Sequence, residues 1–591
     1  MIPKQMRLRM IRFAAAGLLL LSLSGFSFAK SNGSKDFDTF VDATFDQYLK
    51  DNPTRGTQLG FHQYDAKLED YSQKSITEQT KWCHATLARL AKIDHSKLNQ
   101  KQQIDARLIE NWLHAQLLEL EDIRMWQRNP DAYSSSISGS AFVIMSRNYA
   151  SQEERLRSLV ARERQMPAVF AAARANLKNP PKVYTEVAIE QLPGISSFFE
   201  SDVPAAFKDV KDEALLAEFH ASNARVLAEL KSYAEFLQRD MLPRSNGDFR
   251  IGAANYARKL QYEEMVDIPL DKLLAIGQAD LLRNQKEFSR VAKLIDPAKT
   301  PEQILEDAEQ DHPSADKLLQ AFRDSLEGER RFILEKKLLT IPSPVLPIVE
   351  ETPPFMRALT SASMDTPGPW EKVAKEAYFN VTLPEKDWSA ARTKSWLEGF
   401  NRGTITSTSI HEAYPGHYVQ YLVLQVAPLS KTRRILICGS GEEGWAHYTE
   451  QMMLDEGYGR TAGVAEEKDI AFLKLRLGQL QDALLRNARF VVGIEMHTGK
   501  MTFDEGAKFF ETEGRQTHEV SYRETKRGTS DPTYLVYTVG KLEILKLRED
   551  YKRKMGAKFS IQEFHDRFLQ QGAPPVKIAR RALLGNDSPA L

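Results

Sequence analysis

The chain has 591 residues, of which 42% are hydrophobic and 27% are charged, a composition typical of a globular protein with a large core. Lys and Arg together number 80, and so do Asp and Glu. The basic excess of a nucleic-acid-binding protein is therefore missing, and we expect no nucleic-acid partner.

Residues 1–29 have the pattern of a cleavable secretory signal. Basic residues precede an apolar run that is shorter than the roughly 18 residues of a membrane-spanning helix. Small residues at Ser27 and Ala29 predict cleavage after Ala29. No cysteine follows the run, which disfavours a lipid anchor, and no later segment is long and apolar enough to cross a bilayer. We therefore predict a periplasmic or secreted protein without a membrane span.

Residues 30–337 are predicted to form a helical region. Apolar residues recur there at helical spacing, for example over residues 165–177 and 270–294. No repeat of fixed period is present, so we expect helix-on-helix packing without a chemical role. Residues 338–591 are predicted to form the catalytic region, unless both parts make one continuous two-lobed domain. The fold class that follows is mainly α, large and multi-helical, with a few short strands near the active site.

Short strands are expected between residues 338 and 384, where eight prolines exclude a long helix. The segments VLPIVEE and EAYFNVTLP combine β-branched and aromatic residues with turn residues at their ends. An exposed edge strand can bind an extended peptide through main-chain hydrogen bonds. We predict this role for residues 378–382, with a purely structural hairpin as the alternative.

The segment HEAYPGH contains two candidate zinc ligands, His411 and His417, and a candidate general base, Glu412. In a regular helix, a spacing of six residues would place the second histidine roughly 120° away from the face of the first. A shared ion therefore requires a distorted backbone. Pro415 removes a backbone donor and Gly416 tolerates unusual backbone angles, so we predict a kink or bulge at these two residues.

The segment EEGWAHYTE supplies the third candidate ligand, Glu443. His447 lies four positions later, on the same helix face, and could replace His417 as a ligand or donate to an oxyanion. Glu450 could orient a ligand imidazole. Three protein ligands and one open position are the catalytic arrangement of zinc, whereas four protein ligands are the structural one. We predict one Zn²⁺ per chain, with a metal site formed by His411, His417 and Glu443.

Long helices are predicted to follow, over residues 466–498 and then over residues 503–513, where Thr502 and Glu505 form a capping box. Tyr534 and Tyr537 lie one turn apart near the start of a later helix. Tyr537 is our candidate for stabilising an oxyanion. Both tyrosines could equally be core residues.

Five segments resemble the bacterial family called "domain of unknown function 885". They are HEAYPGH, EGWAHY at residues 443–448, YTVGKLEILKLRE at 537–549, DNPTRGTQLGFHQYD at 51–65, and FHDRFLQQGAPPV at 564–576. The resemblance covers nearly the whole mature chain. It implies a mostly helical fold related to zinc peptidases of the carboxypeptidase Taq and angiotensin-converting-enzyme kind. It implies no particular substrate.

The candidate residues predict a zinc-dependent hydrolase, most directly a peptidase with a peptide substrate. Glu412 would take a proton from the attacking water, and Tyr537, His447 or both would donate to the oxyanion. A hydrolase of a non-peptide amide or ester, and a non-catalytic periplasmic binding protein, are the alternatives. The sequence does not distinguish zinc from another divalent metal, since imidazole and carboxylate ligands accept several. Cys83 and Cys438 are expected to be two buried thiols, although the sequence leaves their pairing open.

Overall fold

The computed structural model describes residues 32–353, 357 and 360–591. The predicted signal segment lies outside these residues. The described residues form twenty-six α-helices and three short β-strands. The predicted mainly α fold class is therefore confirmed.

Fifteen helices precede the strands. They are α1 Asn32–Asp51, α2 Pro53–Leu59, α3 Gln73–Leu90, α4 Gln100–Leu117, α5 Met125–Arg128, α6 Asp131–Met145, α7 Gln152–Glu163, α8 Met166–Asn176, α9 Lys182–Ser197, α10 Val203–Ala206, α11 Glu213–Phe236, α12 Gly252–Glu264, α13 Leu270–Ile295, α14 Pro301–Glu309 and α15 Leu318–Lys336. Apolar faces of α6 to α11 meet in one core, which contains Phe170 and Phe219. Helical spacing of apolar residues thus leads directly to helix packing here.

The strands are β1 Ile348–Glu351, β2 Ala362–Asp365 and β3 Tyr378–Val381. They form one sheet in the order β1-β3-β2, with β1 parallel and β2 antiparallel to β3. The predicted strands in VLPIVEE and EAYFNVTLP are confirmed as β1 and β3. The prediction that residues 378–382 form an exposed edge is wrong, because β3 is paired on both sides. One edge belongs instead to β2, whose sequence ASMD has no β-branched or aromatic residue to mark it.

Eleven helices follow the sheet. They are α16 Ala390–Glu398, α17 Arg402–Glu412, α18 His417–Val426, α19 Lys431–Ile435, α20 Gly439–Asp455, α21 Ile470–His497, α22 Phe503–Thr512, α23 His518–Ser530, α24 Val536–Met555, α25 Ile561–Leu569 and α26 Val576–Leu584. The predicted helix at residues 466–498 corresponds to α21, which begins after a short 3₁₀ turn. The capping box of Thr502 and Glu505 is present at the start of α22.

Two pairs of glycines bring the helices of the later region into backbone contact. Gly444 on α20 meets Gly540 on α24, and Gly403 on α17 meets Gly478 on α21. A Cβ atom at any of these positions would overlap the opposite backbone or approach it closely. These contacts set how closely α20 approaches α24 and α17 approaches α21.

One hydrophobic core joins the earlier and later helices, since Leu273 and Phe288 of α13 pack with Leu477 and Phe490 of α21. The boundary near residue 337 stays a prediction. None of the described helices has the length and apolarity needed to cross a bilayer. Cys83 and Cys438 are not bonded to each other; Cys83 is buried and Cys438 is half-buried.

Candidate metal centre

The backbone breaks between the two histidines of HEAYPGH, as predicted. Helix α17 ends at Glu412 and α18 begins at His417. Between them the chain folds back, so that the Gly416 N–H donates to the carbonyl of Ile410 at 2.9 Å. A Cβ atom on Gly416 would overlap the carbonyl oxygen of His411, so glycine is required here by close approach. The indole N–H of Trp445 donates to the carbonyl of Pro415 at 2.9 Å and fixes the break from the side of α20.

The break brings His411 and His417 together with Glu443. One ligand atom from each residue lies within 4.8 Å of the others. The Nε2 atoms of both histidines are 3.3 Å from Glu443 Oε2, and the two rings are nearly perpendicular, with centroids 4.9 Å apart. Although Glu443 Oε2 is buried, it has no hydrogen-bond partner in the described structure. Three potential ligand atoms thus lie close together, and one of them has no hydrogen-bond partner. This arrangement fits a metal ion.

The pKa values of Glu443 and His417 are shifted in opposite directions, because each group stabilises the charged form of the other. Burial alone would raise the pKa of Glu443, but His417 and His411 outweigh it and hold that pKa well below the ordinary range. Burial alone would lower the pKa of His417, whereas the Glu443 carboxylate raises it to about 10. A cation that takes the lone pairs of both imidazoles must therefore displace protons.

Glu450 contacts the Nδ1 side of the His411 ring, whereas Nε2 of the same ring is near Glu443. The Glu450 carboxylate is completely buried. Nδ1 of His411 lies 2.7 Å from Glu450 Oε1, and the Arg486 guanidinium forms an ion pair of 3.1 Å with the same oxygen. A carboxylate that accepts the Nδ1 proton leaves the Nε2 lone pair directed at the metal position. That Glu450 orients a ligand imidazole stays a prediction, and the 2.7 Å contact with His411 is the geometry that it requires.

His447 lies behind the cluster and does not belong to it. Nδ1 of His447 is 3.1 Å from Glu450 Oε2, while its Nε2 has no partner among the described residues. Burial, together with the nearby Lys541, lowers the pKa of His447 to about 3, so the imidazole stays neutral. His447 shares the carboxylate of Glu450 with His411 and does not replace His417 as the third group of the cluster.

Glu412, the candidate general base, contacts the sheet. Its Oε2 accepts the backbone N–H of Met364, in β2, at 3.0 Å. The N–H of Thr382 donates to the carbonyl of Ser361, so in this antiparallel pair Met364 directs its N–H away from β3. The outer edge of β2 therefore faces the candidate base.

Tyr537 lies on the other side of the cluster. Its hydroxyl donates to Glu443 Oε1 at 3.0 Å. Burial, and then the charge of Glu443, raises the pKa of this phenol, so it remains a proton donor. The guanidinium of Arg489 lies 5.0 Å from the ring centroid and that of Arg486 lies 5.6 Å away. Arg489 is itself bound by Glu524 through two hydrogen bonds of 2.7 and 3.0 Å.

Sequence reasoning missed Arg486, Arg489 and the Met364 N–H. Both arginines lie within α21 in the segment LLRNARFVV, where two cations among apolar residues could have indicated buried partners. The Met364 N–H has no corresponding signal in the sequence, because any residue except proline would supply it.

The fold and the site together define a mainly helical protein with a His-His-Glu cluster that could hold a metal ion. The chain belongs to the family described as "Bacterial protein of unknown function (DUF885)", whose model matches residues 53–583. No curated protein matches the chain.

Two solved structures are similar over nearly their whole length. The first is described as "a putative lipoprotein of unknown function from Shewanella oneidensis", with 26% identity, a TM-score of 0.76, and coverage of 93% of this chain and 99% of that chain. The second is described as "the putative lipoprotein from Colwellia psychrerythraea", with 17% identity, a TM-score of 0.78, and coverage of 94% and 99%. The second likeness is one of fold alone.

Proposed function

We propose that this protein is a zinc-dependent hydrolase and, most directly, a peptidase. The observation that carries the proposal is that His411 Nε2 and His417 Nε2 both lie 3.3 Å from Glu443 Oε2, with the Glu412 carboxylate near enough to raise the pKa of His417. Two imidazoles and one carboxylate leave a fourth position open for water or substrate. A purely structural site would offer a fourth protein ligand.

The roles of the side chains follow from their positions. When bound, zinc lowers the pKa of a coordinated water to about 7 and polarises the scissile carbonyl. Glu412 takes the proton of the attacking water and delivers it to the leaving nitrogen. Tyr537 turns its hydroxyl from Glu443 to the developing oxyanion. Glu450 keeps His411 in its ligand orientation.

A peptide is the substrate class that the strand β2 supports. Its outer edge directs the N–H of Met364 toward Glu412, and main-chain groups of an extended peptide pair with such an edge. An extended substrate that pairs with the outer edge of β2 would lie next to the base.

Export from the cytoplasm is part of the proposal. The two similar structures are described as putative lipoproteins, and the first 29 residues of this chain have the pattern of a secretory signal. The first cysteine of the sequence is Cys83, far beyond that segment. We propose a periplasmic or secreted protein whose leader is cleaved after Ala29.

The test is the metal content of the purified mature protein by elemental analysis, together with cleavage of a peptide library. We expect about one zinc per chain, as in a single-ion catalytic site. The Glu412→Gln variant should keep the zinc and lose the cleavage, since it removes the base and spares the three ligands. Absence of bound metal after incubation with zinc would rule the proposal out.

A further inference from the structure

The strand that contacts the candidate base is held by an arginine from the other half of the chain. Arg147 follows α6, and 8% of its surface is exposed. Its Nη2 donates to Asp365 Oδ1, in β2, at 2.5 Å, and its Nη1 donates to the carbonyl of Glu376 at 3.0 Å. One guanidinium thus ties the end of β2 to the residues just before β3.

The connection between β2 and β3 is fastened to the same half of the chain by a second set of contacts. The N–H of Trp370 donates to the carbonyl of Leu59, at the end of α2, at 3.0 Å. The side chain of Glu371 lies 2.8 Å from Nε2 of His62. A Cβ atom on Gly368 would overlap the backbone of α2, so this loop lies directly on the helix. The early helices therefore fix the segment that follows β2.

These contacts matter because Asp365 is the neighbour of Met364. The Met364 N–H donates to Glu412 at 3.0 Å, so the place of β2 sets the orientation of the carboxylate. We propose that Arg147 is a positioning residue: it holds β2 against Glu412 and thereby aligns the base with the metal position. The inference rests on the proposed hydrolase function for its kinetic consequence, but the structural step can be measured without any activity.

The kinetic expectation follows from the cost of misplacing a catalytic group. Arg147→Ala removes both hydrogen bonds and releases β2, and we expect kcat to fall by about 10²-fold. Zinc content should stay at the wild-type level, because Arg147 contacts none of the three ligands. Arg147→Lys keeps one charge for Asp365 but cannot also reach Glu376 in the same geometry, so it should restore part of kcat.

A matched control is available in Arg433. This arginine is 7% exposed and forms an ion pair of 3.4 Å with Asp105, so it too joins α4 of the early part to the later part of the chain. The side-chain partners of Arg433 in the described structure, Asp105 and Gln571, belong neither to β2 nor to the cluster of His411, His417 and Glu443. Arg433→Ala should lower stability to a similar degree and leave kcat unchanged.

The experiment combines three measurements on the wild type, Arg147→Ala, Arg147→Lys and Arg433→Ala: zinc content, kcat on a cleaved peptide, and hydrogen exchange of the peptic fragment that contains Met364. We expect faster exchange of this fragment in Arg147→Ala only, with partial protection in Arg147→Lys. If Arg147→Ala does not fold, Asp365→Asn replaces it, since the amide weakens the same ion pair.

The outcomes separate this inference from the proposed function. If exchange of the Met364 fragment stays at the wild-type rate in Arg147→Ala, the inference is overturned whether or not the protein cleaves peptides. It is also overturned if β2 loosens while kcat is unchanged, or if Arg433→Ala has the same effect on kcat. A wild-type protein without zinc or cleavage overturns the proposed function, and the exchange rates then still decide whether Arg147 holds β2.

Discussion

Two glutamates in different halves of the molecule have pKa values shifted in opposite directions. Glu163 on α7 is completely buried and accepts a hydrogen bond from the Ser222 hydroxyl of α11. Burial raises its pKa to about 8, so this carboxyl is neutral at physiological pH. Glu443 on α20 is ionised, because two imidazoles outweigh its burial. A buried carboxyl that takes up a proton behaves as part of the core, whereas one kept charged beside imidazoles is available to a cation.

The surroundings of the two residues show why they differ. Around Glu163, the helices α7 and α11 contribute Leu159 and Val226 to an apolar core. Around Glu443, the helices contribute histidines, and the carboxylate of Glu450 balances Arg486 behind them. Glu163 thus lies among apolar side chains, whereas Glu443 lies among titratable ones.

The largest expected effect comes from exchanging each glutamate for glutamine. Glu443→Gln removes the negative ligand, and we expect bound zinc to fall from about one per chain to background, with loss of hydrolysis. Glu163→Gln replaces a neutral carboxyl by a neutral amide and should keep both zinc and hydrolysis. Elemental analysis of the two variants measures the difference. Equal zinc in both would show that Glu443 is not a ligand.

A smaller effect is expected from the phenol beside Glu443. Tyr537→Phe should lower kcat by about 10²- to 10³-fold, because it removes a donor to the oxyanion, and should leave the zinc content unchanged. Tyr534→Phe is the control, since that hydroxyl is buried one turn away and has no partner among the described residues. Loss of zinc in Tyr537→Phe would instead assign the hydroxyl to holding the ligand Glu443.

The carboxylate behind His411 should have a weaker influence. Glu450→Gln preserves the shape of the side chain but removes the charge that orders His411 and His447. We expect the affinity for zinc to fall by about 10- to 100-fold, as measured by competition with a chelator. An unchanged affinity would mean that the backbone break alone orients His411.

The sequence predicted that His411, His417 and Glu443 come together, because the features that bring them together are local. Pro415 and Gly416 identified the break between the histidines, and the spacing of Glu443 and His447 identified one face of α20. The long helix α21 and its buried leucines followed from apolar periodicity. In each case the residues that cause the structure are close together in the sequence.

The sequence did not predict the sheet edge, because strand order depends on distant pairings. β3 has the stronger strand composition and is the predicted edge strand, whereas the structure places it in the centre. β2 has a weak composition and is held by Arg147, more than two hundred residues away in the chain. Local propensity identifies strands better than it identifies their neighbours.

The smallest expected effect concerns stability and tests the neutral state of Glu163. The folded protein binds a proton on this carboxyl up to a pH of about 8, whereas in the unfolded chain the group titrates near 4.5. The stability from this group is therefore fully present below about pH 4.5 and is lost as the pH rises toward 8, at most about 5 kcal/mol in total. Glu163→Gln should make the fall in unfolding free energy between pH 5 and 8 shallower.

The same titration is expected of Glu543, on α24, which is fully buried and whose pKa burial also raises to about 8. Part of the pH dependence should therefore remain in Glu163→Gln and decrease further when Glu543→Gln is added. Chemical denaturation at several pH values measures this. Glu443→Gln is the contrasting variant, because the pKa of Glu443 is shifted in the opposite direction. If Glu163→Gln leaves the slope unchanged, Glu163 is charged in the folded protein. In that case both glutamates would be charged although burial disfavours the charged form of both, and only the neighbouring imidazoles would distinguish Glu443 as a candidate ligand.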